Sequence, residues 1–145
     1  MKNPRTTVHY FYDNIVKPIN CLDGVVDKKI EWDPIVSTDE YHGNINGTID
    51  FVDGSKVEFY ESLHIREKEK QIEKISFKYN YLSAERQLLL GWHGDHKEKK
   101  YKYLNSFPRH KHLPDDKIGE CPEPEMNKFL SEVHECRIQR RAIFI

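Results

Sequence analysis

The sequence predicts an α+β fold, an antiparallel β-meander of about five strands with a C-terminal helix packed on one face, which is a sheet of ordinary size. Three patterns support this. Two stretches that alternate apolar and polar residues, 41–52 and 56–66, flank Asp53-Gly54-Ser55, the composition of a tight hairpin turn. A further alternating stretch runs through Ile75, Phe77, Tyr79 and Tyr81. After Pro122 and Pro124, the residues Met126, Phe129, Leu130, Val133 and Cys136 recur at helical spacing.

Taken in order, the chain opens with Val8, Tyr10, Phe11, Ile15 and Val16, the spacing of a short amphipathic helix that Pro18 is expected to stop. Residues 25–36 mix β-formers with charge and include Pro34. Proline cannot donate to a ladder, so an edge strand is expected there. Residues 37–40 are a polar connection. In the hairpin, Ile45, Gly47, Ile49 and Phe51 alternate with Asn46, Thr48 and Asp50, while Val57, Phe59, Leu63 and Ile65 alternate with Lys56, Glu58, Ser62 and His64. Each strand therefore has one apolar and one polar face. Glu61 interrupts the apolar row of the second strand. A carboxylate there needs a partner, so Glu61 is expected either at a rim or facing a site. A charged turn at 67–70 leads to the Tyr79 strand, and after Ser83-Ala84-Glu85 residues 88–92 add another. Glu123 and Glu125 suit the N-terminal end of the final helix.

The 145 residues fit one domain, and 32% charged against 37% apolar residues favours a sheet with one solvated face. A net charge of -1 argues against a protein that coats nucleic acid, although a local basic patch is compatible with it. The three cysteines, Cys21, Cys121 and Cys136, are odd in number and lack Cys-x-x-Cys spacing. They read as reduced thiols, and with no apolar run long enough for a signal or a membrane span, a soluble cytoplasmic protein is expected. Gly-rich phosphate loops, Gly-x-Ser-x-Gly and His-Glu-x-x-His are absent.

Chemistry concentrates between Trp92 and His112. This stretch holds four of the eight histidines and six cations (Lys97, Lys99, Lys100, Lys102, Arg109 and Lys111) against Asp95 and Glu98. If residues 109–112 are extended, period-2 geometry sends His110 and His112 to one face and Arg109 and Lys111 to the other. His93 and His96 flank Gly94-Asp95, a turn across which they either converge or diverge. His64, on the polar face of its strand, is placed to approach the cluster across the sheet.

The residue types admit three outcomes. In a metal-independent ribonuclease, His110 and His112 would be the general base and acid, with His96 a third imidazole, and no cofactor would be needed. Each such proton transfer contributes roughly 10² to 10⁴ in rate. Arg109 and Lys111 would hold the phosphate, with Lys100 and Lys102 adding positive charge. Tyr101, Tyr103 and Phe107 would stack bases, worth about 1–3 kcal/mol each. Alternatively His93, His96, His110 and His112 would bind a divalent metal, against the electrostatic cost of the neighbouring cations and with only Asp95 as an acidic ligand. The plainest outcome is a solvated loop with ordinary surface histidines. A non-catalytic module that binds RNA, a ribosome or a protein through the same basic and aromatic patch is the alternative function.

The order of elements and several motifs resemble the TumE family, toxin components of prokaryotic toxin–antitoxin pairs encoded beside a helix-turn-helix antitoxin. The hairpin signature is matched by Gly47, Ile49, Phe51, Asp53, Gly54 and Ser55, and the later strand by Tyr79 and Tyr81. The closing motif is matched by Phe107, Pro108, His110, Lys111 and His112. The resemblance covers residues 23–133 and is most specific at that closing motif. Arg109 stands where the family pattern has His, and Gly91-Trp92-His93-Gly94-Asp95-His96 departs from the usual Tyr-Asp-Asn segment. The resemblance implies a toxin acting on RNA or translation, with a helix-turn-helix antitoxin as partner.

Overall fold

The structure, a computed structural model, describes residues 9–37, 40–66, 68–69, 71–94 and 99–143. Among them, seven strands form one sheet: β1 (Val25–Ser37), β2 (Glu40–Phe51), β3 (Lys56–Arg66), β4 (Gln71–Leu82), β5 (Leu88–His93), β6 (His110–Leu113) and β7 (Lys117–Gly119). Their spatial order is their chain order and every neighbouring pair is antiparallel, so the sheet is a pure meander. The expected count of about five is thus corrected to seven. The additions are β6 and β7, joined through Asp115 and Asp116 at φ of 64° and 59°. They are too short, and β7 too poor in apolar residues, to show a period of their own. β1 lies at the sheet edge, where Pro34 was expected to place it.

The hairpin between β2 and β3 turns at Gly54, whose φ of +86° suits a residue without Cβ. Asp53 Oδ1 accepts the Ser55 N–H at 3.0 Å. That bond, a second from the Ser55 hydroxyl and the nearby Arg137 hold the Asp53 carboxyl below its ordinary value against the opposing effect of burial, which is the largest single influence on it.

One face of the sheet is apolar. Ile45, Ile49, Phe51, Val57, Phe59, Leu63, Ile65, Phe77, Tyr79, Tyr81, Leu90 and Trp92 are all buried. The C-terminal helix, α2 (Met126–Ile143), covers this face with Met126, Phe129, Leu130 and Val133, the residues whose spacing announced it. Phe129 packs against Tyr79 and Trp92 at ring distances of 5.3 and 5.6 Å. Cutting such a ring to alanine costs about 3–5 kcal/mol. One turn beyond Val133, Arg137 is buried over the Phe51 ring at 4.0 Å and donates to the Asp23 carbonyl at 2.9 Å.

Pro18 does not stop the first helix. A π-helical turn, Tyr12–Val16, runs with unbroken helical dihedrals into α1 (Lys17–Asn20), so Pro18 lies inside a continuous helix that ends two residues beyond it. Ile15 and Ile19, four apart on one helix face, are buried.

Glu61 is fully buried on the helix-covered face. Its partner comes from a register shift: Ser62 pairs with Ser76 but Leu63 pairs with Lys74, so Ile75 is the extra residue of a β-bulge. Beyond the bulge the alternation of β4 inverts. Ile75, expected in the apolar row, is 53% exposed, and Lys74 turns inward to lie 2.8 Å from Glu61. Tyr10 donates to the other Glu61 oxygen at 2.9 Å, Tyr79 donates to Glu61, and Lys74 donates to Tyr79 Oη at 2.8 Å and to the Pro124 carbonyl. Burial first, then the adjacent carboxylate, pushes both tyrosine hydroxyls well above their ordinary pKa.

Candidate functional site

The histidines gather on the opposite face. Trp92 pairs with Lys111, while His93 pairs with His110 and Gly91 with His112. Trp92 meets Phe129 of α2, so it marks the helix-covered side, and the alternation of β5 and β6 sends His93, His110 and His112 together to the other. Their ring centroids are 5.7 Å apart for His93 and His110, 4.5 Å for His93 and His112, and 4.9 Å for His110 and His112. One ring nitrogen of each lies within 4.8 Å of the other two.

Hydrogen bonds orient two of the rings. His93 donates Nε2–H to Asn80 Oδ1 at 2.7 Å, and His110 donates Nδ1–H to the Pro108 carbonyl at 3.0 Å. In the neutral rings this leaves Nδ1 of His93 and Nε2 of His110 as the lone-pair nitrogens. Gly91 keeps the floor open. A Cβ there would stand 3.1 Å from both Asn80 Oδ1 and His93 Nε2, and 3.4 Å from the His112 Cβ. His110 and His93 are buried, whereas His112 is half-buried.

The β5–β6 connection folds over this face. Its 3-10 turn, Lys99–Tyr101, lays the Tyr101 ring on His110 at 4.2 Å and 25°. The chain following is pinned by Glu120, which accepts the backbone N–H of Asn105 and Ser106 at 2.8 Å each. Those bonds lower the Glu120 pKa. Ser106 Oγ then donates to the Arg109 carbonyl at 2.7 Å and accepts the Cys121 N–H at 3.1 Å. The loop that presents Pro108 to His110 is therefore built by Ser106, just before the motif, and Glu120, well beyond it.

The remaining candidates separate. Lys111 lies on the helix-covered face, over the Trp92 ring at 5.1 Å and paired with Glu132 of α2. Arg109 is 2.6 Å from Glu123 and lines a cleft of about 610 Å³ together with Glu61 and Lys74. Neither converges with the three imidazoles. Lys100, 5.1 Å from the Tyr101 ring, Lys102 and Tyr103 are exposed on the connection, and Phe107 is half-buried. His96 lies outside the described residues, as do Asp95, Lys97 and Glu98. His64 does not join the cluster: it sits on β3, stacked on His42 at 4.7 Å. Sequence reasoning missed Asn80 and Gly91. The alternation of Tyr79, Asn80 and Tyr81 put Asn80 on the polar face, but no local pattern tells which strand β4 pairs with.

No curated protein and no solved structure matches the chain. Residues 25–138 match the model of a protein family described as Toxin TumE.

Proposed function

The chain belongs to the TumE toxin family, and from that premise we propose that it is the toxin of a prokaryotic toxin–antitoxin pair, acting in the cytoplasm on RNA as a metal-independent ribonuclease. The family implies an antitoxin partner, for which a helix-turn-helix protein is the proposed type. No helix among the described residues is long and apolar enough to cross a membrane.

The observation that carries the catalytic part is the convergence of His93, His110 and His112, with one nitrogen of each inside 4.8 Å. Cleavage next to a 2′-hydroxyl needs a base to take that proton and an acid to protonate the departing 5′-oxygen. Two imidazoles in different protonation states supply both, at roughly 10² to 10⁴ in rate for each transfer. His112 has the accessible surface and is assigned to meet the phosphodiester. His110 is its partner in proton transfer, and His93, braced by Asn80, stands behind them. With Arg109 and Lys111 engaged by carboxylates, phosphate contact falls to Lys100 and Lys102, and base stacking to Tyr103, which is 70% exposed.

The purified chain should cleave single-stranded RNA in EDTA and leave the equivalent DNA intact. Intact RNA, or DNA cut equally well, overturns the proposal. A second reading has its own support: His110 has no exposed surface and Tyr101 is stacked on it, as in a packed structural cluster. The exposed lysines and Tyr103 would then bind RNA, a ribosome or a protein without turnover.

A further inference from the structure

We infer that His93, His110 and His112 form a binding site for one transition-metal dication of the Zn²⁺ class, and that metal bound there holds the site inactive. The inactivation rests on the ribonuclease reading; the metal site does not.

The geometry is that of three imidazole ligands on a rigid frame. His110 and His112 are two apart on one strand and share a face, and His93 is fixed opposite His110 by the ladder. Zinc–nitrogen bonds of about 2.0–2.1 Å in a tetrahedral site put ligand nitrogens about 3.3 Å apart. The three nitrogens lie within 4.8 Å of one another, so the rings have at most about 1.5 Å to close to reach that spacing.

The surroundings of the rings are those of metal ligands. A ligating histidine almost always donates its other N–H to a carbonyl or carboxylate, which sets the tautomer and aims the lone pair. His93 does so to the Asn80 amide oxygen and His110 to the Pro108 carbonyl. Gly91 leaves the floor between Asn80, His93 and His112 without a side chain. His112, half-buried, lies at the accessible side.

Charge decides the class of metal. Arg109 and Lys111, which in the sequence stand against a dication, are directed away and matched by Glu123 and Glu132. Lys78, paired with His93, and Lys100 remain on this side. A set of three nitrogens with no carboxylate in the group selects Zn²⁺, Co²⁺, Ni²⁺ or Cu²⁺ and disfavours Mg²⁺ and Ca²⁺, which require oxygen ligands. A metal on these nitrogens occupies the lone pair that the proposed base uses to take a proton, so metal binding and proton transfer exclude each other.

The test is a Co²⁺ titration of metal-free, untagged protein, read by the visible absorption of four-coordinate cobalt. One equivalent should saturate the signal, Zn²⁺ should abolish it, Mg²⁺ should not, and His112→Ala should weaken binding by at least about tenfold. His112 is chosen because it is not fully buried, and circular dichroism of the variant checks its folding. No cobalt spectrum, or an unchanged affinity in a folded His112→Ala protein, overturns the site. In parallel, RNA cleavage is measured in EDTA and with one equivalent of Zn²⁺. Cleavage in EDTA that Zn²⁺ suppresses supports the inactivation, and cleavage that Zn²⁺ leaves unchanged overturns it. If RNA stays intact throughout while cobalt binds, the ribonuclease reading fails and the metal site stands.

Discussion

His93 and Asn80 meet across β5 and β4, with the imidazole Nε2–H donated to the amide oxygen at 2.7 Å. Asn80 touches no substrate in the proposed reaction; it positions His93. Asn80→Ala should cost about 1 kcal/mol of stability while lowering cobalt affinity by roughly tenfold or more. Asn80→Asp, which keeps an acceptor at the same place, should restore the affinity. Equal cobalt affinity in wild type and Asn80→Ala would show that the bond orients nothing.

Gly91 gives a steric test of the same floor. A Cβ at 3.1 Å from Asn80 Oδ1 and His93 Nε2 is tighter than ordinary contact. Gly91→Ala should displace that pair and reduce both cleavage and metal binding, with the sheet still formed. NMR of the imidazole resonances is the readout, and unshifted His93 signals would refute the prediction.

Binding and turnover should separate by residue. His112→Ala should abolish RNA cleavage and leave RNA affinity within about twofold, because a single half-buried imidazole contributes little to a backbone-dominated interface. Lys100→Ala with Lys102→Ala should weaken RNA binding and flatten its salt dependence by about one unit for each phosphate no longer neutralised. Should His112→Ala and the lysine variant both spare turnover, the site lies elsewhere.

The Glu61–Lys74 pair is a stability element. Lys74 Nζ lies 2.8 Å from a carboxylate with 1% side-chain exposure. Removing one partner strands the other, so Lys74→Met should destabilise by about 3–5 kcal/mol, and Glu61→Gln with Lys74→Met together by less than the sum. Urea unfolding of the single and double variants measures this, and additive effects would mean that the two groups are not coupled.

Alkali should unfold the protein through Tyr10 and Tyr79. Both folded-state pKa values are raised, while an unfolded tyrosine titrates near about 10. Above that pH the unfolded chain binds fewer protons than the folded one, so stability is full below about pH 10 and falls as pH rises through the window above it. Phenylalanine at both positions should remove this part of the decline. Burial likewise pushes the Cys121 thiol up to about 12. A disulfide reagent at pH 8 should therefore modify the exposed Cys21 and spare Cys121 until the protein unfolds.

Alternation and helical spacing made the hairpin, the Tyr79 strand and α2 legible in the sequence, because burial of one face imposes its period on the residues that fill it. The even spacing of His110 and His112 likewise placed them on one face and Lys111 on the other. Where no long period exists the sequence was silent or misleading. β7 is too short to show one, β6 was legible as an extended histidine motif and not as a strand of the sheet, and Pro18 looked like a stop because a π-helical turn that carries a helix past a proline cannot be read from composition.

What the sequence determined by itself was the class of fold, the closing Phe107–His112 motif and the family to which the chain belongs. What only the tertiary structure decided was which residues meet. The bulge at Ile75 inverted the faces of β4 and delivered Lys74 to Glu61. Strand pairing brought His93 and Asn80 to His110 and His112, and tertiary packing set Glu123 and Glu132 against Arg109 and Lys111 on the other face. The reason is physical: a side chain's face follows from its own strand, but its neighbours follow from register, and register is set by contacts between segments far apart in the chain.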